Sequence, residues 1–231
     1  MEEQIKIPSR FNPELTLKVT PGHFSSDRFH VNYYIDMSSL KIRQAEAKMV
    51  ANAMAEKYMK RVKVGISKNM NFFGSIMDMG TVHTPIDTIV CMDGCEMIGA
   101  YLADALINNG YQKPDGFNVI TPEFDNSGQM VVRPNIKPMI RGRHVLVVLA
   151  TAMSGRTISK ALGTILAYGG KVSGLSVIFA NVDNVNGYMV NGVFTQEDLP
   201  DFKLSDPLNC EDCKAGKRLT AVVNSYGYEM F

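Results

Sequence analysis

Residues 144–170 read HVLVVLATAMSGRTISKALGTILAYGG. Val145, Leu146, Val147, Val148 and Leu149 form an apolar run without alternation, the pattern of a strand buried on both faces of a parallel sheet. After Ala150, the seven residues Thr151 to Thr157 are mostly small, hydroxylated or flexible, and Ile158, Leu162, Ile165 and Leu166 then recur at helical spacing. A strand, a short turn and a helix in this order gather unpaired backbone N–H groups and hydroxyls where the helix begins, which suits an anion such as a phosphate. Gly155 permits a tight loop whose amides can converge on one cluster of oxygens. Thr151, Ser154, Gly155, Arg156 and Thr157 are therefore the candidate phosphate-binding residues.

Around this unit the chain has 231 residues, 45% of them hydrophobic, enough for one sizeable core that buries roughly 70% of the unfolded surface. A net charge of +1 gives no electrostatic case for nucleic acid or an anionic membrane surface. No apolar run approaches the roughly 18 residues of a membrane span, and MEEQIKIPSR has no apolar signal core, so a cytoplasmic location is expected. Four cysteines are too few for a disulfide scaffold and leave reduced thiols or a metal site as the options.

Taken in order, residues 1–37 read as an irregular lead-in and a small hood. LTLKVT alternates, Pro21-Gly22 signals a turn, and VNYYID is rich in strand formers. Residues 38–200 read as the α/β core. Ser38-Ser39 to Tyr58 is expected to be one helix with Ile42, Ala45, Met49 and Ala53 on its inner stripe. Val62 to Ile66 is a short strand candidate, and Asn69 to Thr84 is unassigned. Asp87 to Val90 is a buried strand and Cys91 to Cys95 a turn, followed by a helix carrying Met97, Ile98, Tyr101, Leu102 and Leu106. GFNVIT at 116–121 and KVSGLSVIFANVD at 171–183 are further strands, and VNGYMVNGV suggests a hairpin through Asn191-Gly192. Strands alternating with helices predict an open, mainly parallel sheet flanked by helices. Residues 201–231 form a tail containing Cys210-x-x-Cys213, a spacing suited to Zn²⁺.

The turn Met153-Ser154-Gly155-Arg156-Thr157 resembles the phosphoribosyl-diphosphate (PRPP) loop of type I phosphoribosyltransferases, and the chain as a whole is most similar to the orotate enzymes. It departs from that family at Leu149 and Ala150, which stand where the family carries an acidic pair. Leu17-Lys18, Gly22, Ser25 and Tyr34-Ile35-Asp36 are similar to the hood motif, which implies that Lys18 bonds the base; otherwise Lys18 is a solvent-facing strand residue. The resemblance implies that Asp93 and Gly94 contact diphosphate, with Asp93 holding Mg²⁺ through water; otherwise Asp93 is a turn residue. It implies that Arg133 and Lys137, with Arg141 or Arg143, neutralise the leaving group from a basic loop. The tail resembles that of a subset of orotate enzymes. A sulfur-only zinc site would need Cys91 and Cys95 beside Cys210 and Cys213, and unligated, packed thiols are favoured over it.

Two functions follow from the resemblance. The first is transfer of 5-phosphoribose from PRPP to a nucleobase, orotate before others, with release of diphosphate by a Mg²⁺-dependent homodimer. The second is a catalytically impaired PRPP- or nucleotide-binding protein, which the apolar pair Leu149 and Ala150 favours, since the lost charge-assisted hydrogen bonds contribute roughly 1.5–3 kcal/mol each. No G-x-x-x-x-G-K-[ST], G-x-G-x-x-G after a strand, or G-x-S-x-G is present.

Overall fold

Leu17 and Val19 alternate with polar neighbours and are fully buried, and they lie on the first long strand of the chain. A computed structural model describes residues 3–26, 28–63, 79–224 and 226–231. Strand β1 (Ile5–Pro8) lies antiparallel to β2 (Thr16–Ser26), which pairs in turn with β3 (Phe29–Asp36). The turn expected at Pro21-Gly22 is absent, because β2 passes straight through those residues. Pro21 still stands opposite Tyr33 on β3, the register shifts between Pro21 and Phe24, and a Cβ at Gly22 would lie 2.7 Å from the Phe24 ring.

The single helix expected from Ser38 to Tyr58 is two, α1 (Ser38–Ile42) and α2 (Gln44–Ala55), broken at Arg43 with ψ 116°. The break re-aims the inner face. Ala47, Val50, Ala51 and Met54 are buried, whereas Ile42 of the expected stripe is 70% exposed. A hairpin of β4 (Met59–Lys63) and β5 (Met79–His83) follows. The strand candidate Val62 to Ile66 and the unassigned segment Asn69 to Thr84 lie partly outside the described residues.

The main sheet is built from β6 (Thr88–Cys91), α3 (Glu96–Asn108), β7 (Asn118–Ile120), a small hairpin of β8 (Glu123–Phe124) and β9 (Met130–Val131), then β10 (His144–Ala152), α4 (Arg156–Ala167), β11 (Lys171–Ala180), β12 (Asn184–Val185) and β13 (Tyr188–Thr195). Its strand order is β12-β13-β11-β10-β6-β7, parallel throughout except for the edge pair β12-β13. Residues 145–149 of β10 are completely buried and alternate between two cores. Leu146, Val148 and Ala150 meet α2, α3 and the hood, while Val145, Val147 and Leu149 meet Ile158, Leu162 and Ile165 of α4. Each such Val or Leu contributes about 1.5–3 kcal/mol by burial.

The turn expected at Asn191-Gly192 forms instead at Asn186-Gly187, whose φ values of 53° and 86° are those of a tight Asn-Gly hairpin. Asn191 and Gly192 lie within β13, where a Cβ on Gly192 would come within 2.9 Å of the Ala180 Cβ on neighbouring β11.

The tail comprises β14 (Leu204–Ser205), the single-turn helix α5 (Glu211–Lys214), β15 (Ala221–Asn224) and β16 (Gly227–Met230). It completes the hood rather than standing apart: the hood sheet runs β14-β3-β2-β15-β16, with β1 also on β2. No described helix is long and apolar enough to cross a membrane.

Candidate active site

Strands β6 and β10 are adjacent and parallel, yet the chain leaves them in opposite directions, β6 toward β7 and β10 toward β11. Helix α3 packs on one face of the sheet and α4 on the other. The loops beyond the carboxyl ends of β6 and β10 therefore diverge and leave a crevice, the place where open α/β sheets take ligands. One loop carries Asp93 and Gly94; the other, Met153 to Gly155, joins Thr151 and Ala152 at the end of β10 to Arg156 and Thr157 at the start of α4.

The second loop is held from behind and open in front. The Asn181 amide donates to the Ala152 carbonyl at 3.0 Å, and the Asn181 side-chain amide donates to that of Met153 at 3.0 Å. Gly155 occupies the N-cap of α4 with φ 73°, and a Cβ there would come within 2.6 Å of Val185. Glycine is required both by conformation and by packing. No side chain caps this helix, and Ser154, Arg156 and Thr157 are exposed, so the donors of the first turn face outward. The Arg156 guanidinium lies 5.6 Å from the centroid of Phe29, at the tip of the hood.

The opposite loop is more enclosed. Asp93 (φ 57°) and Gly94 (φ 77°) form a left-handed turn, and the amide of Met92 donates to Val148 on β10. Burial pushes the Asp93 carboxyl above the usual carboxylate range, while the Lys41 ammonium and the N–H of Ala150 oppose that shift. A carboxylate from the loop after β6 thus stands beside Ala150. The buried Lys41 ammonium donates to the Asp93 carbonyl at 2.9 Å and lies 5.2 Å from the ring centroid of Tyr226, which is 75% exposed. Lys18 on β2 donates to the Ser39 hydroxyl on α1 at 3.0 Å, two residues from Lys41.

The crevice thus brings together Asp93, Gly94, Thr151 and residues 154–157, with Lys18 on its hood side. Other expected residues lie elsewhere. Arg133 forms an exposed ion pair with Glu123 at the base of the β8-β9 hairpin, which packs along the middle of α4 through Lys160 and Thr164. Lys137 lies 5.5 Å from the ring centroid of Tyr168 at the far end of α4, at the amino edge of the sheet, and Arg141 and Arg143 flank the same edge. Helix α4 runs antiparallel to β10, so residues near its end cannot reach a ligand at its start. Leu149 and Ala150 are fully buried, one in each core.

Cys91 and Cys95 are buried in the main core, where burial raises the Cys91 thiol to about 12 and lifts that of Cys95 still further. They cannot complete a site with Cys210 and Cys213, which lie instead beside His23 and His30.

Lys41, Phe29 and Tyr226 escaped the sequence reading. Lys41 sits in an ordinary helical context, and nothing local marks its burial. Tyr226 had a weak signal, because Asn224 in NSYG accepts the Tyr226 and Gly227 amides, an Asx turn that presents the residue.

Neither protein-family models nor curated proteins match the sequence. Solved structures similar to this chain include the orotate phosphoribosyltransferase of Mycobacterium tuberculosis H37Rv, at 14% identity and TM-score 0.48, covering 79% of this chain and 92% of that one. The UMP synthase of Leishmania donovani has 18% identity and TM-score 0.49, covering 79% and 34% of the two chains. The adenine phosphoribosyltransferase of Rhodothermus marinus DSM 4252 has 11% identity and TM-score 0.46, covering 83% and 93%. The likeness lies in chain path rather than in sequence.

Proposed function

We propose that the chain is a phosphoribosyltransferase that binds PRPP in the β6/β10 crevice and transfers 5-phosphoribose to a nucleobase, with orotate the first acceptor to try. The observation that carries this reading is the uncapped first turn of α4 behind Gly155, facing outward where the sheet changes direction. Those amides, with Ser154 and Thr157, hold the 5-phosphate. Lys41 and Arg156 bring positive charge to either side of it. As diphosphate departs, positive charge grows on the ribose ring, so the chain needs no nucleophile; it orients the base nitrogen and stabilises separated charge. Phe29 and Tyr226 offer rings to the base, and Lys18 a cation to an acidic one.

Mg²⁺, when bound, supplies charge neutralisation on the diphosphate, and the hard carboxylate of Asp93 fits it, since Mg²⁺ commonly takes one or two carboxylates plus substrate oxygens. On this reading the enzyme is a cytoplasmic homodimer, and Arg133, outside the crevice of its own chain, serves the diphosphate from the partner. Lys137 has no part in it.

The buried apolar pair Leu149 and Ala150 favours a second reading, a PRPP or nucleotide sensor that has lost turnover. Calorimetric titration with PRPP and Mg²⁺, followed by assays of diphosphate release with orotate, uracil, adenine and hypoxanthine, separates the two. Release with one base supports the transferase, binding without release supports the sensor, and no binding removes both.

A further inference from the structure

Four potential ligand atoms from the two ends of the chain converge at one point of the hood. His23 lies on β2 and His30 on β3, on either side of the hairpin tip, and Cys210 and Cys213 flank and belong to α5. His23 Nε2 is 3.1 Å from His30 Nδ1, 3.4 Å from Cys210 Sγ and 3.6 Å from Cys213 Sγ, and Cys213 Sγ is 3.2 Å from His30 Nδ1. All four atoms lie within 4.8 Å of one another. A tetrahedral ion with bonds of about 2.0–2.1 Å to nitrogen and about 2.3 Å to sulfur has edges of about 3.3 Å between nitrogens and about 3.6 Å between nitrogen and sulfur. The observed edges are of this size.

The orientation of the ligands agrees. His23 Nδ1 lies 2.9 Å from the Lys217 carbonyl, which can only accept, so the proton sits on Nδ1 and the lone pair of Nε2 faces the cluster. An outer hydrogen bond of this kind is how a ligating imidazole is held in one tautomer. His23, His30 and Cys210 are buried yet line a cleft of about 350 Å³, and Cys213 is exposed, which together give an entry path. Two thiolates and two imidazoles form a soft, tetrahedral donor set that selects Zn²⁺ over the hard cations. With four protein ligands there is no open position for substrate, so the role is structural.

We propose that His23, His30, Cys210 and Cys213 bind one Zn²⁺ that fastens the tail to the hood. The residues beyond the cluster show what it would secure. The Thr220 amide donates to the His23 carbonyl, and β15 then pairs in parallel with β2 through Ala221 and Val222. The four ligands lie outside the crevice, and the metal-binding test does not depend on any activity there.

The test is metal analysis of the full chain, purified without chelator or metal-affinity steps, followed by stripping and titration with Zn²⁺ or Co²⁺ alone. The expected result is one zinc per chain. Cobalt should give the intense visible bands of a four-coordinate site, with a near-ultraviolet thiolate charge-transfer band. Cys213→Ser and His30→Asn should each abolish stoichiometric binding, whereas Cys91→Ala should leave it unchanged. Stripping should increase proteolysis of the tail, with protection restored by Zn²⁺. Absence of stoichiometric metal in the native and reconstituted wild-type chain would overturn the proposal, as would weak octahedral cobalt bands or a Cys210–Cys213 disulfide in the native protein. The wild-type spectrum decides the matter even if a variant fails to fold.

Discussion

At positions 149 and 150 the choice of apolar side chains is dictated by packing. Both are completely buried, on opposite faces of the central strand. Leu149→Glu would place a carboxylate among Leu162, Ile165 and Val177, and we expect a loss of at least about 3 kcal/mol in urea unfolding. A loss under about 1 kcal/mol would mean that position 149 opens onto the crevice after all. Asp93 is the reverse case. Burial holds its carboxyl above the usual range, so the ionised form costs stability at pH values above the unfolded-state range, and protonation relieves that cost as pH falls. Asn tolerates the same left-handed backbone. Asp93→Asn should therefore keep or raise the melting temperature at neutral pH while lowering diphosphate release by roughly tenfold or more, about 1.4 kcal/mol of lost transition-state stabilisation. A variant as active as wild type would remove Asp93 from the machinery.

Single elements are joined at the amino edge of the sheet by Asp87. Its carboxylate accepts from the Lys113 ammonium at 2.6 Å and from the His144 amide at 2.9 Å, tying the start of β6 to β10 and to the turn before β7. Partial burial alone would raise this carboxyl, but the His144 amide and Lys113 outweigh it and hold it at about 2, below its ordinary 3.8. The stabilisation is thus complete above pH 4 and is lost as pH falls through 2. Chemical denaturation of Asp87→Asn should show a loss of about 1–2 kcal/mol at neutral pH, after allowance for screening. The difference from wild type should shrink steadily between pH 4 and pH 2; a constant difference would show that the carboxylate's charge is not the cause.

These elements also show what could be read from sequence. Val145 to Leu149 and the turn behind it were legible because a doubly buried strand leaves an unbroken apolar run and a helix start leaves small residues. Pro21-Gly22 and Asn191-Gly192 misled because glycine serves close packing as well as turns, and only neighbours from distant strands distinguish the two. Lys41 and His23 were silent for the same reason: each acquires its role from a partner more than fifty residues away. Lys137 was misplaced because a basic segment reads the same at either edge of a sheet.

For the molecule as a whole, the hood is a sheet made from both ends of the chain. Strand β2 is paired along one side by β1 and β15 and along the other by β3, and the aromatic pair Tyr34 and Tyr228, 5.1 Å apart, bridges hood and final hairpin. Strands that share a ladder open together, so the amides of β15 and of the Phe24–Ser25 stretch of β2 should exchange with solvent as one unit. A chain ended after Arg218 keeps all four ligands of the hood cluster but removes β15, β16 and Tyr226. In that chain the Phe24–Ser25 amides should lose protection and the bared edge should promote association, while β10 and β11, buried in the main sheet, stay protected. Base binding should weaken with Tyr226 gone, and PRPP binding through the α4 turn should persist. Hydrogen exchange followed by mass spectrometry reads the first outcome and titration the second. Full protection of Phe24 and Ser25 in the shortened chain would mean that the hood folds without its C-terminal strands, and joint loss of both ligands would place the base and the phosphate in one indivisible site.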